Sequence, residues 1–305
     1  MKRLFLLMAV ILATALTATA QTAPKRHGWE ENFSLYGDVE SITIISYNIS
    51  NGIAAEKAYH SKTYRFNDNG HVSEILYNDT PTFNYTYKFD KRGNVTQSRR
   101  ENHDNGEVYA TDCYRYNSKG QLVEVTGEGK EYDDVWGSWK TIYKYNTKGN
   151  KIKVKELYVD DGRKFITTYK YDKYQKVIKI VAIDTGINDN RMSTYTYDDK
   201  GNKIEERYYD FETPTGKTIY KYDDKGNKVE ECTYDVEGSL INKYTYKYDS
   251  KGNKVEECRY GVEGSFINKY TYKYDSKGNL TEEIMLEGEK ITPVEQTIYE
   301  ITYRR

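Results

Sequence analysis

Residues Tyr222 to Lys247 and Tyr248 to Lys273 differ at only four of twenty-six positions, Asp224/Ser250, Thr233/Arg259, Asp235/Gly261 and Leu240/Phe266. A period in this range marks a repeat array, in which each unit buries its apolar surface only against its neighbours. The array extends well beyond this pair. Taking the last aromatic before each turn as a phase marker gives Phe66, Phe89, Tyr116, Tyr145, Tyr171, Tyr197, Tyr222, Tyr248 and Tyr274, spaced by 23 to 29 residues. Four residues after each marker stands a glycine, except in the fifth unit, where Gln175 takes its place. Nine units are present, followed by a half-unit from Thr297 to Tyr303.

One unit explains the rest. In Tyr244-Thr245-Tyr246-Lys247-Tyr248 tyrosine alternates with Thr and Lys, the period of two that a half-buried strand requires. Asp249-Ser250-Lys251-Gly252 then supplies a turn-starting Asp and a Gly suited to the left-handed position that closes a hairpin. Lys254 to Tyr260 forms the return strand, and Val262-Glu263-Gly264-Ser265 reverses the chain again. Loops this short join antiparallel neighbours, because a parallel crossover needs a dozen or more residues. No 3.6-residue periodicity is sustained, so a helical array is excluded. The expected fold is all-β, an antiparallel hairpin meander of about nine 26-residue repeats. Laid flat, about twenty such strands would extend ~95 Å, and open sheets rarely exceed ~10 strands without curling. The meander is therefore expected to curl into a spiral, a part-closed tube or a stacked sheet.

The pattern aromatic-x-Tyr-Asp-x-x-Gly-Asn, as in Tyr195 to Asn202 and Tyr246 to Asn253, resembles the YD repeat of the RHS family, over roughly residues 60 to 305. The resemblance implies the strand-turn-strand unit and large spiralling sheets, sometimes closed into shells around a toxin, with links to carbohydrate or surface binding in some members. The chain is too short for a full shell, and neither a separate C-terminal toxin region nor a terminal self-cleavage motif is found.

The chain divides at 1–20, 21–58 and 59–305. Lys2 and Arg3, the apolar run Leu4 to Ala13, and Ala18-Thr19-Ala20 read as a secretory signal peptide cut near Ala20. No cysteine adjoins the cut, so no lipid anchor is expected there. Residues 21–58 hold an irregular segment docked by Trp29 and Phe33, a first strand from about Val39 to Tyr47, a turn at Asn51-Gly52, and a short helical stretch at Ala54–Lys57. Residues 59–305 are the repeat domain.

Without Lys2 and Arg3 the balance is 44 basic to 47 acidic residues, with both signs mixed in every unit, which gives no attraction to nucleic acid or an anionic membrane. Leu, Ile, Val and Phe are about 18% of the mature chain, low for a packed core, and the 33 tyrosines supply the missing apolar area. Three cysteines do not make a disulfide framework. In a meander the equivalent Cys232 and Cys258 lie roughly 9.6 Å apart, beyond the ~7 Å that a bridge spans, so both are expected free.

No catalytic constellation is legible. The Asp-x-Lys-Gly-Asn loops read as turns rather than calcium sites, because a Lys stands in most of them. Gly216-Lys217-Thr218 lacks the first glycine of a phosphate loop, the position held by Phe211. His27, His60, His71 and His103 show no metal spacing. The carboxylate pairs Glu205-Glu206, Glu230-Glu231, Glu256-Glu257 and Glu282-Glu283 recur in four units, as strand surface does and a catalytic pair does not. No catalytic residue, metal or cofactor is assigned. Two features remain as ligand-binding candidates: the tyrosine ladder, represented by Tyr220, Tyr246 and Tyr272, and Trp136 with Trp139, in the unit where the spacing expands to 29. Each is either a contact surface for sugar rings or an extended partner, or simply packing.

The sequence thus reads as a non-enzymatic secreted, periplasmic or cell-surface binding or scaffold protein of the bacterial envelope, contacting carbohydrate or an envelope protein through a Tyr-rich face. The alternative is a component or partner of an RHS-like toxin or competition system. Nucleic-acid binding and membrane insertion are not expected, the latter because the return strands carry Glu and Lys on both faces.

Overall fold

In a computed structural model of the protein, residues 26–130, 136–159, 162–187, 189–288 and 291–304 are described. The expected leader at 1–20 lies outside them. The strands are β1 (Val39–Ser50), β2 (Ile53–Ala54), β3 (His60–Phe66), β4 (Val72–Tyr77), β5 (Thr80–Phe89), β6 (Val95–Asn102), β7 (Val108–Tyr116), β8 (Leu122–Lys130), β9 (Trp136–Tyr145), β10 (Lys151–Tyr158), β11 (Lys164–Tyr171), β12 (Val177–Asp184), β13 (Asp189–Tyr197), β14 (Lys203–Asp210), β15 (Thr213–Tyr222), β16 (Lys228–Tyr234), β17 (Leu240–Tyr248), β18 (Lys254–Tyr260), β19 (Phe266–Tyr274), β20 (Leu280–Glu287) and β21 (Thr292–Tyr303).

Each repeat turn is closed by the Asp or Asn that opens it, and in five of the nine, including Asp249 to Asn253, that residue is Asp and an Asn stands at the other end. Asp249 Oδ1 accepts from the backbone N–H of Lys251 and Asn253, both at 2.9 Å, while Asn253 Nδ2 donates to Asp249 Oδ2 at 2.9 Å. Gly252 N–H closes on Asp249 O at 3.2 Å with φ +88°, a backbone that costs glycine nothing. In the fifth unit Gln175 holds the same left-handed conformation, at φ +68°, despite its Cβ. It recovers a 2.6 Å hydrogen bond from Asn150 Nδ2.

The marker tyrosine completes the unit. The β16–β17 ladder begins at Glu230↔Thr245, so the Lys228 carbonyl lies beyond it, and the Tyr248 hydroxyl donates to that carbonyl at 2.8 Å. The same bond recurs from Tyr145, Tyr197, Tyr222 and Tyr274 at 2.7 to 2.8 Å. Burial and the neighbouring turn Asp push the Tyr222, Tyr248 and Tyr274 hydroxyls up to about 12, so they remain donors at neutral pH.

The sheet is neither a spiral, a part-closed tube nor a stacked pair: it closes into a barrel. β21 pairs antiparallel with β1 from Val39↔Tyr303 to Asn48↔Glu295, and β1 pairs on its other side with β3. The nine units supply β3 to β20, eighteen staves, and β1 and β21 bring the wall to twenty, with β2 a short spur on the end of β1. An even number is what an antiparallel meander needs to seal its first strand against its last, and sealing removes both exposed edges. The reading of Ala54–Lys57 as helical is also corrected, since Ile53 and Ala54 pair with Ser50 and Ile49 to make that spur.

Among the described residues, substantial strand–strand contacts are all with ladder neighbours, so no second strand layer lies inside the wall. Twenty staves at ~4.8 Å give a wall at least about 30 Å across, wide enough for an open lumen. One end, the turn end, carries the nine repeat turns; the other, the tip end, carries the remaining hairpin connections. Residues 26–38 cross the inner face near the turn end. His27 reaches Tyr114 on β7, and the Tyr36 N–H donates to Asn279, at the start of β20, at 2.6 Å. Those points are seven staves apart along the wall, roughly 34 Å, about the full extension of nine residues, and a path round the outside of the wall would be longer still. The segment therefore takes a chord across the concave side. Trp29 and Phe33 anchor it, with Leu35, against Ile42, Ile44, Tyr64 and Phe66, in the hydrophobic core cluster of the described residues. Cys113, Cys232 and Cys258 are free, and β17 lies between the last two.

Candidate functional site

The register assigns every repeat residue to a face. Tyr244 and Tyr246 lie opposite Glu231 and Glu257 on the lumen side, while Lys243, Thr245 and Lys247 face out. The glutamate pairs are thereby split, one carboxylate to each side of the wall. Outside, Glu230 bridges Lys221 and Lys243, both at 2.6 Å, and Glu256 bridges Lys247 and Lys269 at 2.8 and 2.6 Å. Inside, Lys203, Lys228 and Lys254 pair with Glu206, Glu231 and Glu257 at 2.5 to 2.7 Å.

Each inner lysine also lies over tyrosine rings. The Lys203 ammonium is 4.4 Å from the Tyr220 centroid, Lys228 is 4.9 Å from Tyr246 and Lys254 is 4.5 Å from Tyr272. The Tyr220 hydroxyl donates to Glu206 at 3.1 Å, and the Tyr246 hydroxyl points to Glu231 at 3.5 Å. Burial pushes all three hydroxyls well above their ordinary range. The three predicted tyrosines therefore occupy equivalent lumen positions, engaged by Lys and Glu rather than offered as bare rings. Tyr220 is only 7% exposed.

The predicted tryptophans stand on β9. Trp136 pairs with Lys130, and its side chain is not among the described parts. Trp139 faces the lumen opposite Gly127, and a Cβ on Gly127 would sit inside the indole ring. Lacking that atom, β8 lets the indole cross it to hydrogen-bond Asp112, which pairs with Gly127 from β7. Ser98 Oγ approaches the same carboxylate at 3.4 Å. A glycine in mid-strand signals such a close approach, and Gly127 was the available clue.

Sequence reasoning missed the lumen carboxylates as a set. Burial pushes Asp112, Glu156 and Glu283 above the usual range. For Glu283 the reason is local: Leu280 stands where Lys203, Lys228 and Lys254 stand in other units, leaving it beside Glu257 and Glu295 with only Lys254 to offset them. A raised carboxyl binds its proton more tightly in the folded chain, so stability falls as pH rises from the ordinary glutamate value through the raised one. The expected result for Glu283→Gln is a higher urea midpoint at about pH 8 than wild type, with the difference vanishing near about pH 4. An unchanged pH slope would show that Glu283 is fully hydrated. Asp90, Asp198, Asp223 and Asp249 behave oppositely: hydrogen bonds from their turn Asn lower them, so the turns weaken as pH falls through those lowered values.

Among the described residues no His, Cys, Asp and Glu grouping could hold a metal, and no helix is long and apolar enough to cross a membrane.

No family model matches the chain. The tRNA3(Ser)-specific nuclease WapA of Bacillus spizizenii is 28% identical over 152 residues, 48% of this chain and 6% of that protein, so the chain spans a small fraction of that curated relative. Among solved structures, the TcdB2-TccC3-Cdc42 complex overlays 80% of this chain and 15% of its own at a TM-score of 0.35 and 15% identity. A porin-like protein from Bacteroides uniformis overlays 87% of this chain and 98% of its own at a TM-score of 0.37 and 11% identity. Overlays at these scores do not define a shared fold.

Proposed function

We propose that the protein is a non-enzymatic binding or scaffold barrel, secreted, periplasmic or held at the cell surface, which takes an extended polar ligand against its lumen wall. The observation that supports this is the recurrence of one Tyr–Glu–Lys set, with distances alike to within a few tenths of an ångström, in consecutive units. Such sets repeat every two staves, roughly 9.6 Å, a lattice suited to a polymer with its own repeat, such as a carbohydrate or an extended polypeptide. Residues 26–38 cross the inner face near the turn end, so the mouth of a free barrel is its tip end. The ion-paired outer wall is a surface for water, and membrane insertion forms no part of this reading.

The test is titration of the mature chain with neutral and acidic glycans and with extended peptides. Tyr246→Phe keeps the ring and removes the hydroxyl, and Lys228→Met removes the cation. A bound polymer should lose roughly tenfold in affinity with either variant. Binding that neither variant changes would place the ligand elsewhere, and retention of no polymer would end the reading.

A second reading, a component or partner of an RHS-like toxin or competition system, is favoured by the YD pattern and by the identity to the WapA nuclease. It requires one envelope or toxin protein to be captured in stoichiometric amount by the full mature chain.

A further inference from the structure

The two ends of the barrel differ in chemistry. At the tip end, the four consecutive connections after β14, β16, β18 and β20 carry Glu212, Asp235, Glu237 and Glu263, and Asp210 and Glu287 end the strands that lead into the first and last of them, with no Lys or Arg among the described residues of the connections. The same connections expose Phe211, Val236, Val262 and Ile291, and the apolar arc continues through Ile187 and Val159. Apolar residues in a continuous arc on a rim mark a contact surface. One of them is held at a cost. Phe211 and Glu212 are the central residues of a two-residue turn, with φ +44° and +70°, a conformation that favours Asn and Gly. The equivalent turn after β4 uses Asn78 and Asp79.

At the turn end the balance is reversed. The four consecutive turns after β5, β7, β9 and β11 carry Lys91, Arg92, Lys119, Lys148, Lys173 and Lys176 against only Asp90 and Asp172. Both carboxylates are tied to the N–H groups of their own turns at 2.8 to 2.9 Å. Between the first two of these turns lies an open groove of about 490 Å³, lined by Lys91, Arg92, Arg115 and Tyr116 and bridged by Arg92 to Ser118 O at 2.9 Å. Further round, Tyr174 is exposed.

We propose that the tip end of one barrel docks on the turn end of a second copy, head to tail. Four carboxylates on four adjacent connections, with two more at the strand ends beside them, meet six cations on four adjacent turns, both spaced every two staves of the same wall, roughly 9.6 Å. The exposed apolar tips enter the groove and cover Tyr174. The contact is heterologous, so each copy keeps one free end and association continues beyond the dimer.

Sedimentation of the mature chain across concentration and salt tests this, with two variants. Lys91→Glu/Arg92→Glu/Lys119→Glu strips the turn end. Phe211→Asn/Glu212→Gly/Val236→Ser/Glu237→Lys strips the tip end, and it places the favoured Asn-Gly pair in the strained turn, so it folds at least as well as wild type. Wild type is expected to associate at low salt and to weaken about tenfold or more by about 0.5 M salt. Each variant alone is expected to be monomeric, and their mixture to stop at a one-to-one dimer. A monomeric wild type, salt-independent association, a turn-end variant that still self-associates, or a mixture that fails to pair would each overturn the proposal.

Discussion

Gly127→Ala is expected to lower stability by about 3 kcal/mol, more than most glycine-to-alanine changes in a strand, which run near or below zero cost. The added Cβ falls within the space of the Trp139 indole, which must leave its place over β8. In leaving, it releases the Asp112 carboxylate, whose pKa burial already raises. Two penalties combine, a steric one and the loss of a donor to a buried acid. In the Trp139→Ala background the same change should cost less than about 0.5 kcal/mol, because nothing remains to clash with. Urea unfolding of the four proteins of this cycle makes the measurement. Equal costs in both backgrounds would mean that the indole does not lie across Gly127.

The Ser46→Cys/Thr297→Cys protein should form a disulfide spontaneously on oxidation and gain about 5 kcal/mol in the chain-entropy account. Ser46 and Thr297 face each other in register across the seam, their hydroxyl oxygens 3.1 Å apart and their positions 251 residues apart in the chain. Few cross-links close so long a loop, which is why the expected gain lies at the top of the usual range. A mobility shift on a non-reducing gel reads bond formation, and the denaturation midpoint reads the gain. An open sheet would leave the two thiols tens of ångströms apart, and no bond would form.

What the sequence disclosed follows from how local each decision is. The alternation in Tyr244 to Tyr248 and the Asp249-to-Asn253 turn are made by residues within five positions of each other, so strands, turns and the nine-unit count were legible. Closure was not, because it rests on β1 meeting β21, a pairing that no local pattern encodes. The tyrosines serve two ends that one sequence pattern does not separate. A ladder of rings suits both a sugar platform and an apolar face, but Tyr248 stands where it does because its hydroxyl satisfies the Lys228 carbonyl. Trp139 stands out in the sequence because the spacing of its unit expands to 29, and its place over β8 follows from an absent side chain one stave away. The Ala54–Lys57 stretch is not a helix because its first residue, Ala54, and the preceding Ile53 extend the β1 hairpin.

The parity of the wall bears on how such a protein changes over generations. Gain or loss of a whole 26-residue unit alters the stave count by two, so β1 and β21 still meet antiparallel and the seam survives. Each such event changes the circumference by roughly 9.6 Å and the bore by about 3 Å. Half a unit would leave an odd count, bring the last stave in parallel to the first, and expose two raw edges. Unequal crossing-over between near-identical units such as 222–247 and 248–273 delivers whole steps. The lineage can therefore resize its container in quantised increments without passing through an unsealed intermediate.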